Sequence, residues 1–160
     1  MENLGSIERS AELQPLRNEH IDGLLFVERI RKGLKNHTGI DELVKYVRWF
    51  WKNHIRPHFF QEEQILLRYL PVGHPLRIKI KEDHTEILEI MHVIDREVEL
   101  FDLINLARFV ESHIQWEERI FFPYYEENLT AAQLATIKKE LEENPVKCNI
   151  AWTNEFWLTS

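Results

Sequence analysis

Two stretches of the chain share one pattern. His58 is followed by Glu62, Glu63, Ile65, Leu66 and Leu67, and His113 is followed at the same spacing by Glu117, Glu118, Ile120, Phe121 and Phe122. Both read HxxxEExI and then two large apolar residues. Residues four apart share a face of an α-helix, and in both copies that face is the apolar one. Glu62 has Ile55, Ile65 and Leu66 around it, and Glu117 has Val110, Ile120 and Phe121. Each copy follows a segment with one His on its own apolar face, His20 (after Glu19) and His84 (after Asp83). The chain thus carries a weak internal duplication, whose unit is a helix with a His followed by a helix with HxxxEE. In a chain with 8 His among 160 residues, about one HxxxE pair arises by chance, so the weight rests on placement rather than on number.

Helical periodicity dominates elsewhere, and Asn-Gly or Asp-Gly hairpin signals are missing. The first helix is expected from Pro15, a residue tolerated in an opening turn, to about Asn36. Its inward face is Leu13, Leu16, His20, Leu24, Val27 and Leu34. Asp41 reads as the N-cap of a second helix reaching about Leu70, with Val47, Trp51, Ile55, Ile65 and Leu66 inward. Pro57 removes a backbone hydrogen bond within it and should bend it near His58. A third helix, Pro75 to Ile94, is expected to bury Ile80, Ile87, Leu88 and Met91. A fourth, capped near Asp95, carries Leu106, Phe109, Val110, Trp116, Ile120 and Phe121.

Thr130 and Gln133 form a capping box for a short amphipathic helix, Ala131 to Glu143, ending before Pro145. Trp152, Phe156 and Trp157 make the tail from Ala151 to Leu158 apolar, and it should dock on the helices or on a neighbouring subunit, which would make a homo-oligomer. The expected fold is all-α: an up-down-up-down four-helix bundle over about 15–129, with a fifth helix and aromatic tail over 130–160, in a single domain spanning 1–160.

Charge and composition exclude several functions. The net charge is −7 and the 20 Lys and Arg are scattered, which disfavours nucleic acid as a partner. No stretch approaches the roughly 20 apolar residues that span a bilayer, and the N-terminus lacks a basic segment followed by an apolar run. A soluble, cytoplasmic protein without a membrane partner is expected. Cys148 stands alone, so neither an intrachain disulfide nor a thiolate metal cluster can form within one chain.

A carboxylate buried among apolar side chains is costly unless a cation or hydrogen bonds compensate it. Two of them facing four imidazoles ask for metal. Imidazole with carboxylate suits iron, manganese or zinc. If both Glu62 and Glu117 bridge, His20 and His58 serve one ion and His84 and His113 the other. An oxo or hydroxo bridge then completes five positions on each ion and leaves a sixth for a small ligand. That count fits octahedral iron better than closed four-coordinate zinc.

The order His20, His58–Glu62, His84, His113–Glu117, with the Glu-Glu-x-x-x-Phe-Pro run ending at Pro123, resembles the hemerythrin-like, or HHE cation-binding, family over Pro15 to Leu129. The resemblance implies a four-helix bundle with a nonhaem diiron site on His20, His58, Glu62, His84, His113 and Glu117. It implies binding or sensing of O2 or NO; the alternative is a diiron enzyme in peroxide or O2 detoxification, or iron handling. Respiratory hemerythrins carry two His one turn apart on the third helix. Here the residue four after His84 is Leu88, which argues against dedicated O2 transport. Ferritin-like oxidases use Glu-x-x-His pairs, the reverse of the order here.

Other residues take plainer readings. His54, one turn before His58, is read as supporting a ligand, with ligation by His54 or Glu86 the rarer alternative. Glu63 and Glu118 fall on solvated faces, and His37, His74 and His92 on the surface or in loops. Trp49, Trp51, Phe59, Phe60, Phe121 and Phe122 read as core packing. Gly23 leaves room for helix packing, or for a gas channel.

Overall fold

The computed structural model describes residues 10–147 and 151–158; Cys148 lies outside them. All regular structure among the described residues is helical. A single 3-10 turn, Ala11–Leu13, leads into α1 (Gln14–Lys35), with Pro15 in the opening turn. α2 (Ile40–Phe50) begins after Gly39, which is its N-cap. Asp41, expected to cap it, falls with Glu42 in its first turn, where carboxylates complement the unpaired N–H groups.

Beyond α2 the backbone runs on without a break through a π turn (Trp51–Ile55), α3 (Arg56–Gln61), a second π turn (Glu62–Leu66) and a 3-10 turn (Leu67–Tyr69). Pro57 sits in the first turn of α3, directly after the first π turn. A proline lacks the N–H of the regular ladder, and the chain has already left that ladder there. α4 (Pro75–Arg96) is capped by His74, whose Nδ1 accepts from the Leu76 N–H at 3.1 Å. α5 (Leu100–Trp116) starts at a capping box of Glu99 and Asp102, beyond the expected Asp95, and continues through a third π turn (Glu117–Phe121) into α6 (Phe122–Asn128). α7 (Ala131–Glu143) has the anticipated Thr130–Gln133 box.

α5 packs on both α1 and α4, and α7 covers α1, the first 3-10 turn and the π turn at Glu62–Leu66. Two apolar clusters result. One gathers Phe26, Ile30, Leu43, Val47, Phe50, Leu103 and Leu106; the other gathers Leu16, Leu66, Ile80, Phe121, Tyr125 and Ile137 under α7. The His and Glu residues of the duplicated unit form a polar belt between them.

The tail lies on its own chain. Trp152, Phe156 and Trp157 each pack a ring against Tyr46 at 5.2–5.8 Å, and Arg29 lies 3.9 Å over Trp157. Asn36 donates to the Phe156 carbonyl at 3.2 Å. Gly33 makes room for this: a Cβ there would come within 2.8 Å of the Phe156 ring and 2.5 Å of Leu43. Four residues expected inside are instead exposed: Leu24 (41%), Leu88 (39%), Phe60 (60%) and Ile120 (50%). On α1 and α4 the residue three after the His, Gly23 or Ile87, turns inward and the residue four after it turns out. Ile120 and Ile65 occupy the same place in their π turns, yet Ile65 is buried where α7 covers its turn and Ile120 is exposed. No helix among the described residues is long and apolar enough to cross a membrane.

Candidate metal centre

The six residues singled out by the duplication all lie in the polar belt, each no more than 6% exposed and Glu62 and Glu117 fully buried. α1 supplies His20, α3 His58, α4 His84 and α5 His113. Glu62 and Glu117 are each the first residue of a π turn. Such i→i+5 turns concentrate at functional sites, and here both copies of the unit place one at its shared glutamate. Tyr125 donates to the Leu66 carbonyl at the end of the Glu62 turn at 2.5 Å.

The two halves are cross-paired. Glu62 Oε1 lies 3.4 Å from Nε2 of His58 in its own half and 3.2 Å from Nε2 of His84 in the other. Glu117 Oε1 lies 2.8 Å from Nε2 of His113 and 3.3 Å from Nε2 of His20. His20, His58, Glu62 and Glu117 can each bring one donor atom within 4.8 Å of the others, as can Glu62, His84 and His113. Glu62 therefore belongs to both groups. Nε2 of all four histidines and both oxygens of both glutamates are buried, and no group outside this set of six satisfies them. Donors about 2.1 Å from one ion stand about 3 Å apart when adjacent and about 4 Å apart when opposite. The observed 2.8–4.0 Å separations are of that kind.

Comparison with protein-family models, with curated proteins and with solved structures finds no match for the chain. The donor set must speak through its own chemistry.

The outer nitrogens are organised as carefully as the inner ones. His58 Nδ1 meets Glu19 at 2.6 Å, and His113 Nδ1 meets Asp83 at 2.9 Å, each acid standing immediately before the first His of the same half. His20 Nδ1 meets Glu118 at 2.9 Å, whereas His84 Nδ1 is 3.7 Å from Glu63, beyond hydrogen-bond reach. These acids follow the shared glutamate of the opposite half. A carboxylate on Nδ1 fixes the ring and leaves the lone pair on Nε2, which is how metal-binding imidazoles are held. Glu63 and Glu118 were expected on solvated faces; they are 36% and 25% exposed and stand beside the rings of His84 and His20. Buried Arg17 holds Glu118 at 3.3 Å and Glu126 at 2.6 Å. The sequence reading left out Glu19, Asp83 and Arg17. An acid directly before His20 and again before His84 was the available signal for the first two.

Electrostatics favour a cation at the centre. Burial lowers the pKa of His113, but the charge of Glu117 and the bond to Asp83 raise it to about 10. His20, His58 and His84 are likewise raised, their burial outweighed by hydrogen bonds or charge from Glu117 and Glu62. Burial pushes Glu117 up, yet His113 and the surrounding hydrogen bonds hold it well below the ordinary range. Without a cation, the charge of Glu117 is balanced by protons on the imidazoles around it.

His54 differs from the four. It is 3% exposed, stacks on Phe50 at 4.5 Å between ring centroids, and lies outside both donor groups. Burial, and then the nearby His58, lower its pKa to about 3, so it is neutral. Its Nε2 has no partner. His54 and Gly23 line a cavity of about 20 Å³ over the rings of His20, His58 and His113. A Cβ on Gly23 would stand 2.8 Å from Ile114 Cδ1, so the glycine serves close packing as well. His37 and His92 are exposed and His74 is a cap.

Proposed function

We propose that the chain is a single-domain, hemerythrin-like four-helix bundle that holds two iron ions and binds or senses a diatomic gas, O2 or NO. One ion is held by His20 and His58, the other by His84 and His113, with Glu62 and Glu117 shared between them. The observation that carries the reading is the convergence of four ring nitrogens and four carboxylate oxygens in an apolar interior, where the contacts they make are with one another. Burying polar groups without their full set of partners costs about 1–3 kcal/mol each, and more when they are charged. A dinuclear site answers all of them at once.

When bound, the ions supply Lewis acidity and reversible one-electron chemistry. The chain does the rest. Glu19, Asp83 and Glu118 hold His58, His113 and His20 by their outer nitrogens, and Phe59 stacks on His84 at 3.7 Å. Two nitrogens and two shared carboxylates per ion leave coordination positions free for a small ligand. The neighbouring cavity of about 20 Å³ has room for about one water or one diatomic, which favours a gas over a larger substrate.

The test is iron content after anaerobic loading, with an optical spectrum before and after O2 or NO is admitted. About two irons per chain and a stoichiometric spectral change are expected for a dinuclear site. Fewer than about one iron per chain would refute the metal assignment. Two irons with sustained consumption of peroxide would instead make the protein an enzyme.

A further inference from the structure

The two halves of the duplication differ at two positions that come together in the fold. Three residues after its first His, one half has Gly23 and the other Ile87; four before its second His, one half has His54 and the other Phe109. The half with the small residue and the extra imidazole is the half where the cavity opens, beside His20 and His58. Ile55, Ile87, Val110 and Ile114 make the wall apolar. Besides the donor atoms of His20, His58 and His113, the lining holds one more buried, unpartnered nitrogen, Nε2 of His54. The Asp22 carboxylate lies 3.7 Å from it, too far to accept a hydrogen bond but near enough to favour the tautomer with its hydrogen on Nε2.

We propose that the cavity between Gly23, His54 and Ile114 is a pocket for one diatomic molecule of the O2 or NO class, and that His54 Nε2 donates a hydrogen bond to it. The inference rests on the metal reading given above and adds to it which residue discriminates among ligands. Volume limits the guest to about one water or one diatomic. The apolar wall favours a neutral molecule on entry, and the imidazole favours one that gains negative charge once held. Phe109, the counterpart of His54, gives the other half no donor, so a ligand is stabilised on the His20/His58 side only.

The experiment uses the full chain, iron-loaded and reduced, with NO as the probe. Iron per chain is measured first, then the NO dissociation rate and the N–O stretching frequency in H2O and D2O. Wild type should show a D2O-sensitive frequency. His54→Phe should lose that sensitivity and release NO about tenfold faster, the equivalent of about 1.4 kcal/mol. His54→Gln, which keeps a donor, should stay within about threefold of wild type. Gly23→Ala, which adds no polar group and pushes the Ile114 side chain towards the cavity, should slow NO association about tenfold at unchanged iron content. If His54→Phe and Gly23→Ala bind two irons and handle NO as wild type does, the pocket is refuted while the metal reading stands. If wild type itself fails to bind iron, the metal reading fails first and the pocket with it.

Discussion

The outer carboxylates offer a graded perturbation. Glu19 meets His58 Nδ1 at 2.6 Å with both side chains nearly buried, 12% and 6% exposed. A hydrogen bond to a charged group in such a place contributes about 1.5–3 kcal/mol, and loss of the partner behind a metal-bound imidazole typically costs 10- to 100-fold in affinity. Glu19→Gln keeps an acceptor but loses the charge, and charge assistance roughly doubles such a bond. About 1–1.5 kcal/mol should go, or about five- to tenfold in iron affinity, whereas Glu19→Ala should approach 100-fold. Asp83→Asn and Glu118→Gln, at 2.9 Å from their rings, should behave like Glu19→Gln. Glu63 is 3.7 Å from His84 and 36% exposed, so only a screened attraction is lost, and Glu63→Gln should change affinity by less than about threefold. Competition with a calibrated chelator, read by metal analysis at fixed pH, measures all four. If Glu63→Gln weakened binding as much as Glu19→Gln, or if neither changed it, the claim that these acids position the rings would be wrong.

If Glu117 is shared as proposed, Glu117→Ala should reduce iron from about two ions per chain to below about one, whereas His113→Ala should spare the ion on His20 and His58, and metal analysis separates the two patterns. Metal binding should release protons at pH 7, because raised imidazoles must lose them, and calorimetry in buffers of different ionisation enthalpy counts the release. In the metal-free protein, the stabilisation from raised histidines is fully present below their ordinary pKa of about 6.5. It is lost as pH rises towards the His113 value of about 10. Melting temperatures of loaded and metal-free protein should therefore diverge from about pH 6.5 upward, and a constant gap would contradict the charge scheme. Gly33→Ala places a methyl 2.5 Å from Leu43 and 2.8 Å from Phe156. It should cost about 2 kcal/mol and lower Tm by about 4–8 °C, with Trp152 and Trp157 fluorescence moving to longer wavelength as the tail detaches.

The grouping of His20, His58, Glu62, His84, His113 and Glu117 was legible because helical spacing and an apolar face are written directly in the residue order. α7 was legible for the same reason, its capping box being local. The outer acids were not. Glu63 and Glu118 sit next to a buried residue on a helix, where the period predicts solvent, and only the packing of a second helix turns them towards a ring. Ile120 and Ile65 hold the same place in the repeated pattern, and only the packing of α7 over one turn separates a buried residue from an exposed one. Gly23 and Ile87 show that the inward stripe advances by three residues, not four, past His20 and His84, a choice set by how α5 lies against α1 and α4.

Cross-pairing has a consequence for assembly. Cut in the turn between Leu70 and Pro75, the chain would give two pieces, each with two imidazoles and one central glutamate, and neither could surround an ion with the full donor set. The cations would then act as rivets between the pieces, so that each fragment should remain soft alone and the pair should stiffen together on the addition of iron.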